Sequence, residues 1–311
     1  MRIVFMGTPE FALPSLRILL EHNYNIVAVV TSPDMPQGRG QKIAPSPVKE
    51  LALARNLRLQ QPENLKDPDF VSTLAQLQPD LIVVVAFRIL PREVFTIPRL
   101  GSINLHASLL PKYRGAAPMN WAIINGETET GVTTFFLREK VDTGSIILQA
   151  RVRIGPDETA GELHDRLADL GAEVVLQTVR QIELGRVQPQ AQDDSLVSSA
   201  PKIFKEDCRI DWRKSAQQVH DFVRGLSPYP CAWTSHEGRT LRIFRTQLSA
   251  AESSAGQAKP GTIVEAQHDR LRVQTGRGVL SIVDIQQEGR KGMGVAEFLR
   301  GYHFEVGDQL R

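Results

Sequence analysis

A chain of 311 residues, 41% hydrophobic and 23% charged, has the composition of a globular protein with a large core, and its length suggests about two domains. A net charge of +2 excludes a strongly single-signed surface as a pointer to a partner. Two cysteines, Cys208 and Cys231, are too few for a disulfide framework or a zinc site, so no metal is expected.

The N-terminal stretch MRIVFMGTPEFALPSL lacks the long apolar core and small-residue cleavage site of a signal peptide. No run approaches the apolar length that spans a bilayer. A cytoplasmic monomer with no membrane association is expected. RIVFMG reads as a buried strand. TPEFALPSLRILLEH reads as a helix, with Thr8 placed to cap it and Pro9 at its first position. YNIVAVVT reads as a strand, SPVKELALARN and DFVSTLAQLQ as helices, PDLIVVVAF and GSINLHA as strands, and MNWAIINGE as a helix ending at Gly126. TGVTTFFLRE and SIILQARVRI are strands joined by the loop KVDTG, and a long amphipathic helix follows over AGELHDRLADLGAEVVLQTVRQIELG. Strands alternating with helices give an α/β domain with a parallel-rich sheet. After Gly185 the composition turns polar, and RVQPQAQDDSLVSSAPKIFKED reads as a linker. SAQQVHDFVRGL is a helix; then short strands alternate with glycine-rich turns, which suits a smaller β-rich barrel domain.

Gly7-Thr8-Pro9 sits where a dinucleotide-binding loop would open, but it lacks the G-x-G-x-x-G pattern and Pro9 removes an amide. A nicotinamide cofactor is therefore not supported. Asn104 and His106 fall two residues apart on an extended segment and so point the same way. They belong at the carboxyl end of a strand, where open α/β sheets bind their ligands. An Asn amide offers donors to an oxygen that becomes anionic, and an imidazole can donate to that oxygen or protonate a leaving nitrogen. Asp142, in the loop between two strands, could orient the imidazole or relay a proton. Amide, imidazole and carboxylate together suit acyl transfer to an amine. The same residues could instead satisfy loop backbone and cap a turn.

INLHASLLPKYRGAAPMNWAIINGETETGVT, followed by VDTG, resembles the signature of the 10-formyltetrahydrofolate-dependent formyltransferases. FMGTPEFA, PDMPQGRGQKIAPSPVKELA, KIFKEDCRIDW and GYHFEVGDQL narrow the resemblance to members that act on charged initiator tRNA. It spans nearly the whole chain. It implies a Rossmann-like catalytic domain (1–186), a linker (187–205) and a C-terminal OB-like tRNA-binding barrel (206–311). The reaction it implies is formyl transfer from 10-formyltetrahydrofolate to the α-amino group of methionyl initiator tRNA. The family's catalytic residues fall on Asn104, His106 and Asp142, and its folate-binding loop on Ser108, Leu109, Leu110 and Pro111. A wall of the folate pocket resembles AFRILP, here one residue shorter than the family pattern, with Phe87-Arg88 in place of Tyr-Gly; contacts through Phe87, Arg88 and Leu90 are expected there. PDMPQGRGQKIAPSPVK looks like the loop that enters the acceptor arm of the tRNA, with Arg39 and Lys42 as RNA contacts; Lys202 and Lys205 resemble a second basic contact.

Two other functions compete. One is formyl transfer to a small amine such as an amino-sugar nucleotide, which PKYRGAAPMNW would also suit. The other is a non-catalytic RNA-binding protein, against which the intact Asn104, His106 and Asp142 set argues.

Overall fold

The structure is a computed structural model that describes residues 1–37, 42–248 and 258–311. Arg39 lies outside the described residues, and of Lys42 only the backbone is described. The chain forms two compact units. The first comprises Met1–Gly115, Gly131–Val152 and His164–Ser199; the second comprises Ala116–Thr130, Arg153–Leu163 and Ala200–Arg311.

In chain order the elements begin with β1 (Arg2–Gly7), a 3-10 turn (Glu10–Ala12), α1 (Leu13–Glu21) and β2 (Asn25–Val30). A hairpin of β3 (Met35–Gln37) and β4 (Lys42–Ala44) leads to α2 (Pro47–Ala54), β5 (Leu59–Gln60), α3 (Pro68–Gln76) and β6 (Leu81–Val85). Then come α4 (Arg92–Phe95), β7 (Ser102–His106), β8 (Arg114–Gly115), α5 (Pro118–Ile124), β9 (Glu129–Phe136), β10 (Ile146–Arg153) and α6 (Ala160–Glu183). Seven strands form one sheet in the order β10-β9-β7-β6-β1-β2-β5. From β7 to β5 every pairing is parallel, and β9 joins β7 antiparallel. A strand in the middle of such a sheet is buried on both faces, which is why β6 is an unbroken LIVVV run. Val4, Met6, Ala28, Val30, Ile82 and Val84 pack into one cluster on one face of this sheet. By the period of two, Ile3 and Phe5, both fully buried, face the other side.

Helix α1 starts later than the sequence suggests. It is entered through the 3-10 turn, and Pro14 takes the early-helix position expected of Pro9. Thr8 therefore caps no helix. Its hydroxyl instead accepts from the Ser32 N–H at 3.3 Å and lies 3.1 Å from the Ser32 hydroxyl, joining the carboxyl ends of β1 and β2.

After β11 (Ser199–Ala200), the second unit contains α7 (Ala216–Leu226), β12 (Ala232–His236), β13 (Arg239–Leu248), β14 (Ile263–Gln267), β15 (Arg270–Gln274), β16 (Val279–Gln287), β17 (Met293–Gly294) and α8 (Val295–Phe298). Its antiparallel sheet runs β12-β13-β16-β15-β14, with β17 on β16. This is the β-rich second domain the sequence leads one to expect. Leu241, Ile243, Leu271, Val273, Leu280 and Ile282 alternate with more exposed residues and fill its core against the apolar face of α7.

Candidate active site

Strand β7 sets the geometry. Leu105 is buried, and its side chain lies where a Cβ on Gly171 of α6 would approach it to 2.6 Å. Asn104 and His106 flank Leu105, so both face away from that helix. They sit at the carboxyl end of β7, paired with Phe135 and Thr133 of β9. His106 is 6% exposed and Asn104 half-buried.

The histidine tautomer follows from its partner. Nε2 of His106 lies 2.8 Å from the carbonyl oxygen of Tyr113. A carbonyl only accepts, so Nε2 carries the hydrogen and donates it. The remaining nitrogen, Nδ1, is the one that can take or give a proton, and it faces Asp142 Oδ2 at 3.9 Å. That gap is too long for a direct hydrogen bond and short enough for a strong charge interaction when the ring is protonated.

Asp142 is held in an unusual backbone position. Its φ is +54°, in the left-handed region that Asp tolerates better than most residues. The carboxylate accepts the Gly115 N–H at 2.9 Å. Gly144 follows because nothing larger fits: a Cβ there would lie 1.5 Å from the Phe136 carbonyl oxygen. A third support is Gln192. Its Nε2 donates to the carbonyls of Asp142 and Gly144, both at 2.8 Å, and its Oε1 accepts from Arg114 Nε at 3.0 Å and Nη2 at 2.7 Å. The sequence reading missed Gln192, which lies in a polar stretch with no motif.

The Ser108–Pro111 loop is fixed by the Thr133 hydroxyl. It donates to Ser108 O at 2.6 Å and accepts from Leu110 N–H at 3.1 Å and Gln149 Nε2 at 2.9 Å. Ser108 is buried and its hydroxyl donates to Lys112 O at 2.6 Å. Leu110 is in the core, Leu109 is half-buried over Gly131, and Pro111 is half-buried. Arg114 is not a free surface cation: besides Gln192 it pairs with Asp194 at 2.8 Å.

Phe87, Arg88 and Leu90 gather apart from this group in sequence; Arg88 and Leu90, but not Phe87, border a cavity of about 590 Å³ together with Glu63, Leu65 and Phe95. Phe87 and Leu90 pack into the apolar cluster of the sheet. The Arg88 guanidinium donates to the carbonyls of Pro62 (2.7 Å) and Glu63 (2.9 Å), and burial pushes its pKa down. Asn104, His106 and Asp142 do not line that cavity. A neighbouring hollow of about 460 Å³, lined by Phe95, Leu137, Glu139 and Thr143, comes within one residue of Asp142.

Lys49 donates to Asp34, whose carboxyl is held below the usual carboxylate range by that bond and by Gln61. In the second unit Lys202 and Lys205 are exposed; Lys202 lies 5.4 Å above the ring of Phe204. Among the described residues no three His, Cys, Asp or Glu side chains cluster as a metal site would require, and no helix is long and apolar enough to cross a membrane.

The family profile described as formyl transferase matches residues 1–179, and formyl transferase, C-terminal domain, matches residues 202–303. A methionyl-tRNA formyltransferase of Bacteroides thetaiotaomicron is 49% identical over 319 residues, covering 100% of this chain and 98% of the relative. One from Caldanaerobacter subterraneus subsp. tengcongensis is 46% identical over 313 residues, covering all of both chains. In fold the chain is also similar to the N-formyltransferase of Helicobacter canadensis in complex with folinic acid and dTDP-3-aminofucose. That match has a TM-score of 0.69 and 20% identity, and covers 90% of this chain and 98% of the other.

Proposed function

The chain belongs to the formyl transferase family, and from that premise we infer that it transfers the formyl group of 10-formyltetrahydrofolate to the α-amino group of methionyl initiator tRNA. The observation that carries this reading is full-length identity of 46–49% to relatives named methionyl-tRNA formyltransferase. The amino-sugar alternative has only the fold similarity at 20% identity behind it.

The geometry supports definite roles. The amine nitrogen attacks the formyl carbon, the carbonyl oxygen becomes an oxyanion, and the bond from carbon to N10 of the folate then breaks. The Asn104 amide donates to that oxyanion. With Nε2 of His106 committed to Tyr113 O, Nδ1 is the atom that donates to the oxyanion and passes its proton to departing N10. Asp142, 3.9 Å from Nδ1, stabilises the imidazolium and receives the proton the amine gives up, so protons balance over the cycle. The Ser108–Pro111 loop, with Phe87, Arg88 and Leu90, holds the folate. Arg39 makes phosphate or base-edge contacts with the RNA and Lys42 mainly phosphate contacts, and Lys202 and Lys205 make a second basic contact. In this reading residues 1–186 carry the chemistry, 187–205 link, and 206–311 bind tRNA, and the enzyme acts as a cytoplasmic monomer.

The test supplies purified protein with formyl-labelled 10-formyltetrahydrofolate and, in parallel, methionyl initiator tRNA, methionyl elongator tRNA and a nucleotide-linked amino sugar. Label is expected on the initiator tRNA. Label on the sugar alone refutes the reading.

A further inference from the structure

We propose that Gln192 is a positioning residue for the formyl transfer, clamping the loop that carries Asp142 so that its carboxylate stands against Nδ1 of His106. The inference rests on the catalytic reading above and adds a residue to it.

Every polar atom of the Gln192 carboxamide is used, and in one sense only. The Arg114 guanidinium has donors alone, so the atom 2.7 Å from its Nη2 is the amide oxygen. The carbonyls of Asp142 and Gly144 accept alone, so the atom 2.8 Å from each is the amide nitrogen. Its two hydrogens straddle Thr143 and fix the backbone on both sides of it. Asp142 has a φ of +54°, a conformation that persists only where surroundings over-determine it. The Gly115 N–H secures the carboxylate, and Gln192 secures the backbone behind it. Arg114 polarises the amide from its oxygen end, which strengthens its two N–H donors.

The mount is rigid on both sides. Gln190 and Ile146 exchange a pair of backbone hydrogen bonds, both at 2.8 Å. Ser198 accepts the Tyr113 N–H on its hydroxyl and the Arg114 N–H on its carbonyl, each at 2.9 Å. Tyr113 is also the residue whose carbonyl sets the His106 tautomer. The 190–198 segment thus supports both members of the proton-handling pair, His106 through Tyr113 and Asp142 through Gln192.

Gln192→Met keeps the side-chain length and removes both donors; Gln192→Glu keeps the Arg114 partner and turns lone pairs toward the two carbonyls. Both variants should lower kcat roughly 10–100-fold, the usual scale for losing a group that orients a reacting residue. KM for the formyl donor and for tRNA should stay within about twofold, because neither binding surface includes the amide. In an Asp142→Asn background, Gln192→Met should cost less than about threefold more, since both changes disable one carboxylate. Multiplied losses in the double variant, or a kcat within twofold of the parent in a folded Gln192→Met, overturn the proposal. Should Gln192→Met fail to fold, Gln192→Glu answers the same question. Parent enzyme that makes no formyl-methionyl-tRNA under these conditions refutes the functional reading instead, so the two failures are distinguishable.

Discussion

Thr133→Val removes one oxygen from beneath the Ser108–Pro111 loop, and the consequence can be worked out from its contacts. Thr133 is fully buried and its hydroxyl touches three groups: Ser108 O, Leu110 N–H and Gln149 Nε2. Gln149 keeps a second acceptor, Leu110 O at 2.9 Å, so it is not stranded. Ser108 O loses its donor and the Leu110 N–H its acceptor, and valine fills the space without replacing either. A buried polar group left unsatisfied costs about 1–3 kcal/mol, so two give about 2–6 kcal/mol, with about 3 expected after local relaxation. For a unit of this size that is a fall in Tm of about 6–12 °C. The transition is best followed by far-UV circular dichroism. Trp121, Trp212 and Trp233 all lie in the second unit, so tryptophan fluorescence reports the other part of the chain. The loosened loop should also raise KM for 10-formyltetrahydrofolate several-fold while KM for tRNA holds. A folded variant whose Tm moves by less than about 2 °C, with an unchanged donor KM, would show that the hydroxyl neither stabilises nor shapes the loop.

Asn104→Ala should leave the fold intact and slow formyl transfer roughly 10²–10³-fold, the scale of losing an oxyanion donor; near-normal single-turnover rates would remove Asn104 from that role. Arg39→Ala should cut kcat/KM for tRNA, leave the donor KM unchanged, and flatten the log–log salt dependence of tRNA binding by about one unit; an unchanged slope in filter-binding titrations would exclude a phosphate contact. Glu162→Gln tests the start of α6. The Thr159 backbone N–H, and then Arg245, hold the Glu162 carboxyl at about 2 instead of 4.5. A depressed carboxylate stabilises the folded state above its unfolded pKa and loses that contribution as pH falls through the folded one. The side chain is 46% exposed, and solvent screening reduces the expected loss in Glu162→Gln at pH 7 to about 1 kcal/mol. Urea midpoints of parent and variant should converge between pH 4.5 and 2; a constant gap across that window would place the effect elsewhere.

The sheet was legible because its chemistry is periodic. Unbroken apolar runs mark β1 and β6 as doubly covered strands, and the alternation of Asn104, Leu105 and His106 places two polar side chains on one face of β7. The start of α1 was not legible, since Thr8 and Pro14 compete to define it and the contact of Thr8 with Ser32 spans 24 residues. The two-residue strands β5 and β17 and the four-residue helices α4 and α8 fall below the length at which a period can be read.

The proposed catalytic group divides along the same line. Asn104 and His106 share a strand, so their relation is local and the sequence states it. The approach of Asp142 to His106 depends on where the β9–β10 loop returns, and that is set by atoms without sequence signatures: the Gly115 N–H, the Gly144 hydrogen facing Phe136 O, and the Gln192 amide. Polar stretches such as RVQPQAQDDSLVSS read as linkers because they lack an apolar stripe. Here the stretch is fixed one hydrogen bond at a time, through Gln190, Gln192 and Ser198. Point attachments of this kind leave no periodicity, yet they hold the backbone of the loop whose carboxylate lies 3.9 Å from Nδ1 of His106.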